Sequence, residues 1–176
     1  MSENCYSTEI FHRSPKAAFV CGIVDVVCSV GEIAVENQIL EEQLNLGAGY
    51  IFRRSGIESR FYKSTESSFF DLAIKSVNRL LEKTGVLASQ ISVLICASST
   101  FDKNAPSLAC RLMNSIDKEG TNQDCFAVDI NSACTGYIYA MSMAVDKLRA
   151  NAGKDKKKYA MVVTNEVFSD YLGNSP

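Results

Sequence analysis

The stretch Phe126-Ala-Val-Asp-Ile-Asn-Ser-Ala-Cys-Thr-Gly-Tyr137 decides how this chain reads. Its first five residues, 126–130, are mostly apolar and predict a strand. The next few are small or polar and predict a turn. From Gly136 to Ala150 the pattern changes to helical spacing, with Tyr137, Ala140, Ala144, Val145 and Leu148 on the inward side. Cys134 therefore sits between a strand and a helix. Unpaired N–H groups and the helix dipole at such a place favour negative charge. A free thiol has a pKa of about 8.5, and a helix N-terminus lowers it, so more thiolate is available for attack. Ala133, Thr135 and Gly136 allow a sharp turn and leave room for an acyl group, and the backbone N–H groups there are suited to an oxyanion. On position alone, a packing cysteine is the commoner outcome.

Working outward, the same strand-then-helix unit recurs. Ile91–Ala97 is a near-continuous apolar strand, Tyr159–Val163 is another, and the valine-rich run 17–28 predicts a buried one. Ser68 and Asp71 have the spacing of a capping box. The helix behind them carries Leu72, Ala73, Val77, Leu80 and Leu81 on one stripe and ends at Gly85. Pro106 suits the first turn of a helix bearing Leu108, Ala109, Leu112 and Ile116. Asn37 is placed to cap a short helix containing Ile39, Leu40, Gln43 and Leu44, which Leu46-Gly-Ala-Gly-Tyr breaks. Arg53 to Ile57 then reads as a loop or turn. Alternation of this kind implies an α/β layer on a mixed or parallel sheet. Residues 1–16 form a polar lead-in, and 165–176 have turn composition with no closing helix or strand, as expected of a partial chain.

Composition removes several functions. The 176 residues are 47% apolar and 22% charged, with a net charge of −2, which predicts one globular domain and no nucleic-acid partner. The basic run Lys154–Lys158 reads as a solvated loop. Seven scattered cysteines without a Cys-x-x-Cys pair suggest neither a disulfide framework nor a zinc or other metal site. Most of them fall in apolar segments as small hydrophobes, which fits a reducing cytoplasm. The run 17–28 is too short to span a bilayer and is broken by Asp25, so no membrane association is expected.

Four blocks in order resemble the N-terminal half of β-ketoacyl-acyl-carrier-protein synthase III, in the thiolase-like superfamily of condensing enzymes. Arg53-Arg54-Ser55-Gly56-Ile57-Glu58-Ser59-Arg60 is similar to that family's Arg-Thr-Gly-Ile-x-x-Arg segment. Ile91 to Ser99 is similar to its strand ending in small hydroxyl residues. Ala105-Pro106-Ser107 followed by Cys110 is similar to its Pro-Ser-x-Ala-Cys helix start, and Phe126 to Tyr137 to its nucleophile segment. The resemblance runs from about Ala17 to the end of the chain. It implies a thiolase-like fold, with residues 17–176 as one αβα half-domain holding a mixed sheet between helices, and the C-terminal half absent from this chain.

The resemblance also assigns roles. Cys134 is the expected nucleophile taking an acyl group from acyl-CoA, the substrate, with no permanently bound cofactor. Arg54 matches a position that helps bind CoA, and Tyr50 one where the family often stacks an aromatic on adenine. Ala105 falls where a bulky aromatic often reaches into the partner's acyl pocket. Expected partners are acyl carrier protein and a second copy of the chain or a complementing second half, with the strand near 125–130 close to the pairing interface. Condensation with malonyl-acyl-carrier protein in fatty-acid or polyketide synthesis needs a His and an Asn from the second half. His12 and Asn131 match neither motif; His12 reads as a polar terminal residue and Asn131 as a backbone-binding one. Two alternatives stay open: another acyltransferase of the superfamily (a hydroxymethylglutaryl-CoA synthase, a plant-type polyketide synthase or an ester-forming enzyme), and a non-catalytic half-domain.

Overall fold

The computed structural model describes residues 19–152 and 159–171. The lead-in 1–16, His12, the basic run 154–158 and the last five residues lie outside them.

At the centre is β3 (Ile91–Ala97), a seven-residue strand buried along its whole length. β4 (Phe126–Ile130) and β5 (Tyr159–Thr164) flank it, both parallel to it, giving the order β4-β3-β5. A strand covered on both faces has no solvent side on which to place polar residues, hence the near-continuous apolar run, whose one polar side chain, Ser92, donates to the Tyr159 carbonyl. One face is covered by α3 (Phe69–Thr84) and α4 (Leu108–Ile116). There Leu72, Val77, Leu108 and Leu112 pack against Ile91, Leu94 and Cys96. α5 (Gly136–Asn151) covers the other, with Ala140 and Ala144 against Val93, Ile95 and Ala97. Each fully buried Leu, Ile or Val side chain contributes about 1.5–3 kcal/mol, so β3 is the strand on which the layer depends. The architecture is thus α/β with helices on both faces. Antiparallel pairing occurs too, in a separate ribbon of β1 (Ile33–Glu36) and β2 (Ser59–Tyr62), which carries α1 (Asn37–Gln43) and α2 (Tyr50–Ser55) between its strands.

Small residues set how closely α5 lies on the sheet. Gly136 has ordinary helical φ and ψ (−52°, −44°), so its backbone needs no glycine. A Cβ there would stand 3.2 Å from the Ala97 Cβ, so close approach is the reason for it. The first turn of α5 leaves apolar side chains in solvent: Tyr137, Ile138 and Tyr139 are exposed.

Several sequence expectations need correction. Residues 19–28 of the expected buried strand are irregular, and Val20, Ile23, Val24 and Val26 are all more than 60% exposed. β-propensity is not enough without a ladder partner, and neither described sheet supplies one. Lys83 Nζ on Asp25 (2.8 Å), Arg79 on the Cys28 carbonyl (3.0 Å) and Arg149 over the Phe19 ring (5.6 Å) tether the segment. The N-cap of α1 is Glu36, not Asn37. Asn37 instead donates to the Ile57 carbonyl at 2.6 Å and accepts from Arg60 at 2.6 Å, tying α1 to β2. Most of the expected loop Arg53–Ile57 is helical, belonging to α2, which closes on left-handed Gly56 (φ 70°). Pro106 precedes α4, whose N-cap is Ser107. Tyr137 points to solvent rather than inward. Of the described cysteines only Cys96 is fully buried; Cys21, Cys28, Cys110 and Cys134 are exposed.

Candidate active site

All three parallel strands end at one edge of the sheet, and their following loops meet there. In open α/β sheets that edge is where ligands bind. Cys134 lies on the loop after β4, in a 3-10 turn (Ala133–Thr135) that runs directly into α5. Its turn is closed by Thr135, whose N–H and hydroxyl both donate to the Ser132 carbonyl, at 3.1 and 2.7 Å. The Asn131 carboxamide oxygen accepts from the Ala133 N–H at 3.5 Å. Ala133 has φ +46°, a left-handed conformation costly for a residue with a Cβ. Local strain of this kind is held only by surrounding structure and recurs at functional sites. The Cys134 side chain is exposed.

The neighbouring loops brace this turn. The Ser98 N–H donates to the Ile130 carbonyl at 3.2 Å, joining the end of β3 to the end of β4. Thr100, buried with Ser98, donates through Oγ1 to Glu166 Oε2 at 2.7 Å and accepts from the Val167 N–H at 3.0 Å. Asp129, the next-to-last residue of β4, accepts from the Leu108 and Ala109 N–H groups at 2.6 and 2.8 Å and so seats the start of α4. Thr100, Asp129 and Glu166 were not singled out from the sequence. An aspartate within an otherwise apolar strand, and a glutamate two residues after one, were the available signals.

Tyr50 and Arg54 stand one turn apart on α2, where spacing by four residues puts side chains on one face. The Arg54 guanidinium lies 5.6 Å from the centre of the Tyr50 ring, a cation–π contact. Buried Glu41 of α1 orients this helix, accepting from the Gly49 and Ile51 N–H groups at 2.8 Å each. Among the described residues no hydrogen bond or ring contact joins this pair to Cys134. A cavity of about 390 Å³ between β2 and the loop after β5 is lined by Arg60, Tyr62 and Glu166 among others, but not by Cys134, Tyr50 or Arg54.

Two thiols, Cys96 and Cys125, are poor nucleophiles. Burial, with Asp129 and Cys110 nearby, raises Cys96 far above the ordinary thiol range. Burial and Cys110 push Cys125 up to about 11, partly opposed by the Leu94 backbone. Among the described residues no group of three or more His, Cys, Asp or Glu side chains is placed to hold a metal. Nor is any described helix long and apolar enough to cross a membrane.

With this geometry in hand, the chain can be set beside known proteins. It is 36% identical over 138 residues to β-ketoacyl-acyl-carrier-protein synthase III of Clostridium perfringens (strain SM101), covering 78% of this chain and 40% of that protein. The corresponding enzyme of Enterococcus faecalis is 35% identical over 143 residues, covering 81% and 42%. Among solved structures, β-ketoacyl-acyl-carrier-protein synthase III of Thermus thermophilus superposes with a TM-score of 0.70 at 27% identity, covering 85% of this chain and 44% of that one. The fold is therefore thiolase-like, and the chain spans about two fifths of the length of the curated relatives it matches. Residues 24–175 match the family described as FAE1/type III polyketide synthase-like protein, and the chain belongs to that family.

Proposed function

We propose that this chain is the acyl-accepting part of a β-ketoacyl-acyl-carrier-protein synthase III-type acyltransferase, with Cys134 as its nucleophile. The Cys134 thiolate attacks the thioester carbonyl of acyl-CoA, and a tetrahedral oxyanion forms beside the N–H groups of the turn. Its collapse breaks the bond to the CoA sulfur. The acyl group stays on Cys134, and CoA leaves as a thiolate that takes up a proton. The observation that carries this reading is an exposed cysteine on a strained turn, at the strand edge where three loops converge. Arg54 and Tyr50 are assigned to CoA, the guanidinium for phosphate and the ring for adenine.

Condensation with malonyl-acyl-carrier protein, in fatty-acid or polyketide synthesis, is the reaction this acyl group would serve. Acyl carrier protein and a second copy or complementing half are the proposed partners, and the cytoplasm the proposed location. Among the described residues β4 lies at an edge of its sheet, which supports pairing with a second copy, because an edge strand presents N–H and C=O groups for pairing. The family match supports a second reading within the same chemistry, a polyketide-type acyltransferase using the same cysteine. Incubation with acetyl-CoA followed by mass spectrometry of the Cys134 peptide tests both. An acetyl thioester on Cys134 is the expected result; a folded sample that forms no adduct with acetyl-, butyryl- or malonyl-CoA would sink the proposal.

A further inference from the structure

The loop after β5 holds a carboxylate that the acyl-transfer chemistry does not use. Glu166 Oε1 accepts from the Ser99 N–H at 2.8 Å, and Oε2 accepts from Thr100 Oγ1 at 2.7 Å and from Ser98 Oγ at 3.4 Å. Ser98 Oγ also accepts from the Thr100 N–H at 2.9 Å. Both oxygens of Glu166 are thus engaged by one three-residue segment, 98–100. Its neighbour Asn165 is fixed in turn, donating through its carboxamide to the Phe69 carbonyl at the head of α3 (2.9 Å).

What segment 98–100 touches on its other side is the nucleophile turn. Ser98 holds Ile130, four residues before Cys134, and Ala97, the residue just before the segment, abuts Gly136, two residues after the cysteine. We infer that Glu166 is a positioning residue for Cys134, acting through Ser98–Thr100 to clamp both ends of the cysteine's turn against the β5 loop and α3. This rests on Cys134 being the acyl acceptor. The role of Glu166 is to hold the end of β3 at one height relative to β4, so that strained Ala133 cannot relax and carry the thiol away. Side-chain hydrogen bonds to a charged acceptor are strong enough to hold a loop in this way.

The test compares Glu166→Ala, Glu166→Gln, Thr100→Val and Thr100→Ser in the whole chain. Two rates at Cys134 are read by peptide mass spectrometry: acetylation against acetyl-CoA concentration, and alkylation by iodoacetamide against pH. Glutamine can still accept from the Ser99 N–H and can donate to Thr100 Oγ1, and serine keeps the hydroxyl, so both conservative variants are expected within about twofold of the parent chain. Alanine and valine break the clamp. Their maximal acetylation rate is expected to fall about tenfold or more at unchanged half-saturating acetyl-CoA, because a displacement of about 1 Å can cost about a hundredfold in rate. Their alkylation curve should also shift along the pH axis. Parental rates and pH curves in Glu166→Ala and Thr100→Val would overturn the inference, and so would equal losses in the conservative and disruptive variants. Absence of acetyl adduct in the parent chain refutes the acyl-transfer reading alone, since iodoacetamide still reports the position of the thiol and decides on Glu166 separately. If Glu166→Ala does not fold, the Thr100 pair carries the same test.

Discussion

Replacing Asp129 by alanine should loosen the seat of α4 and lower stability by about 2–3 kcal/mol. The first turn of a helix leaves its leading N–H groups without intrahelical partners. In α4 they are shared out completely: Leu108 and Ala109 donate to Asp129, Cys110 donates to the Ser107 hydroxyl at 3.1 Å, and Arg111 donates to the Ser107 carbonyl at 3.0 Å. A hydrogen bond to a charged group contributes about 1.5–3 kcal/mol, and a carboxylate at a helix N-terminus adds about 0.3–1 kcal/mol. Water can reach the half-buried Asp129 site and offsets part of the two-bond sum. Asp129→Asn keeps one acceptor but turns an NH₂ toward the second donor, so about half the loss is expected. Ser107→Ala removes one neutral bond and should cost about 1 kcal/mol. Urea unfolding followed by circular dichroism reads all three. With a slope near 2 kcal/mol/M, Asp129→Ala moves the midpoint down by about 1–1.5 M. A loss below about 0.5 kcal/mol for Asp129→Ala, or a larger loss for Ser107→Ala than for Asp129→Ala, would refute the cross-strand seat.

Gly136→Val should destabilise by about 1–3 kcal/mol through overpacking against Ala97, whereas Gly136→Ala should stay within about 1 kcal/mol as helix propensity offsets the tight contact; thermal unfolding separates the two. The Ser68–Asp71 capping box gives a pH signature. The Ser68 side chain, then its backbone N–H, hold the Asp71 carboxyl below its ordinary value of 3.8, so its contribution is present above that value and is lost as the pH falls through the lower folded one. Asp71→Asn is therefore less stable than the parent chain at neutral pH, and urea titrations should show the gap closing below roughly pH 4. Brief iodoacetamide treatment near neutral pH should label Cys134 and Cys110 and spare Cys96 and Cys125, as peptide mapping would show; equal labelling of Cys96 would contradict its burial.

The parts of the fold that could be read in advance are those where local and tertiary demands coincide. β3 and β4 appear at the residues expected, because a strand covered on both faces has one readable signature. The Ser68–Asp71 box and the Gly85 cap are local, and both form as expected (Gly85 φ 68°). The run 17–28 misled because valine content reports a preference for pleated, half-buried surface and says nothing of whether a neighbouring strand is there to pair. Asn37 misled in another way: its side chain found long-range partners, Ile57 and Arg60, which no reading of neighbouring residues contains. Tyr137 keeps the helical period with Ala140 and Ala144 but stands in the first turn of α5, where it is exposed. The same division runs through the site. Cys134 was proposed from its motif, whereas Glu166 and Asp129 act on residues 66 and 20 positions away in sequence and become visible only when the strands are side by side.

These contacts also change why Cys134 is the residue to watch. The argument from a helix terminus is weakened by the structure, since a 3-10 turn stands between the cysteine and the first residue of α5. A dipole falls off within the first turn, so it cannot carry the assignment alone. What singles out Cys134 is the framework around it. Ser98 is bonded to Ile130, the Asn165 N–H reaches the Ala97 carbonyl at 3.4 Å, and Glu166 spans to Thr100, so the three strand ends form one interlocked edge. A thiol held on such an edge loses little entropy on meeting a bound thioester, which is where positioning gains rate. Cys96, on the central strand of the same sheet, shows the converse. It is held at least as firmly, yet burial keeps it protonated and out of reach. Rigidity and access coincide at Cys134, and that pairing, rather than the helix behind it, is what supports the proposal of Cys134 as acyl acceptor.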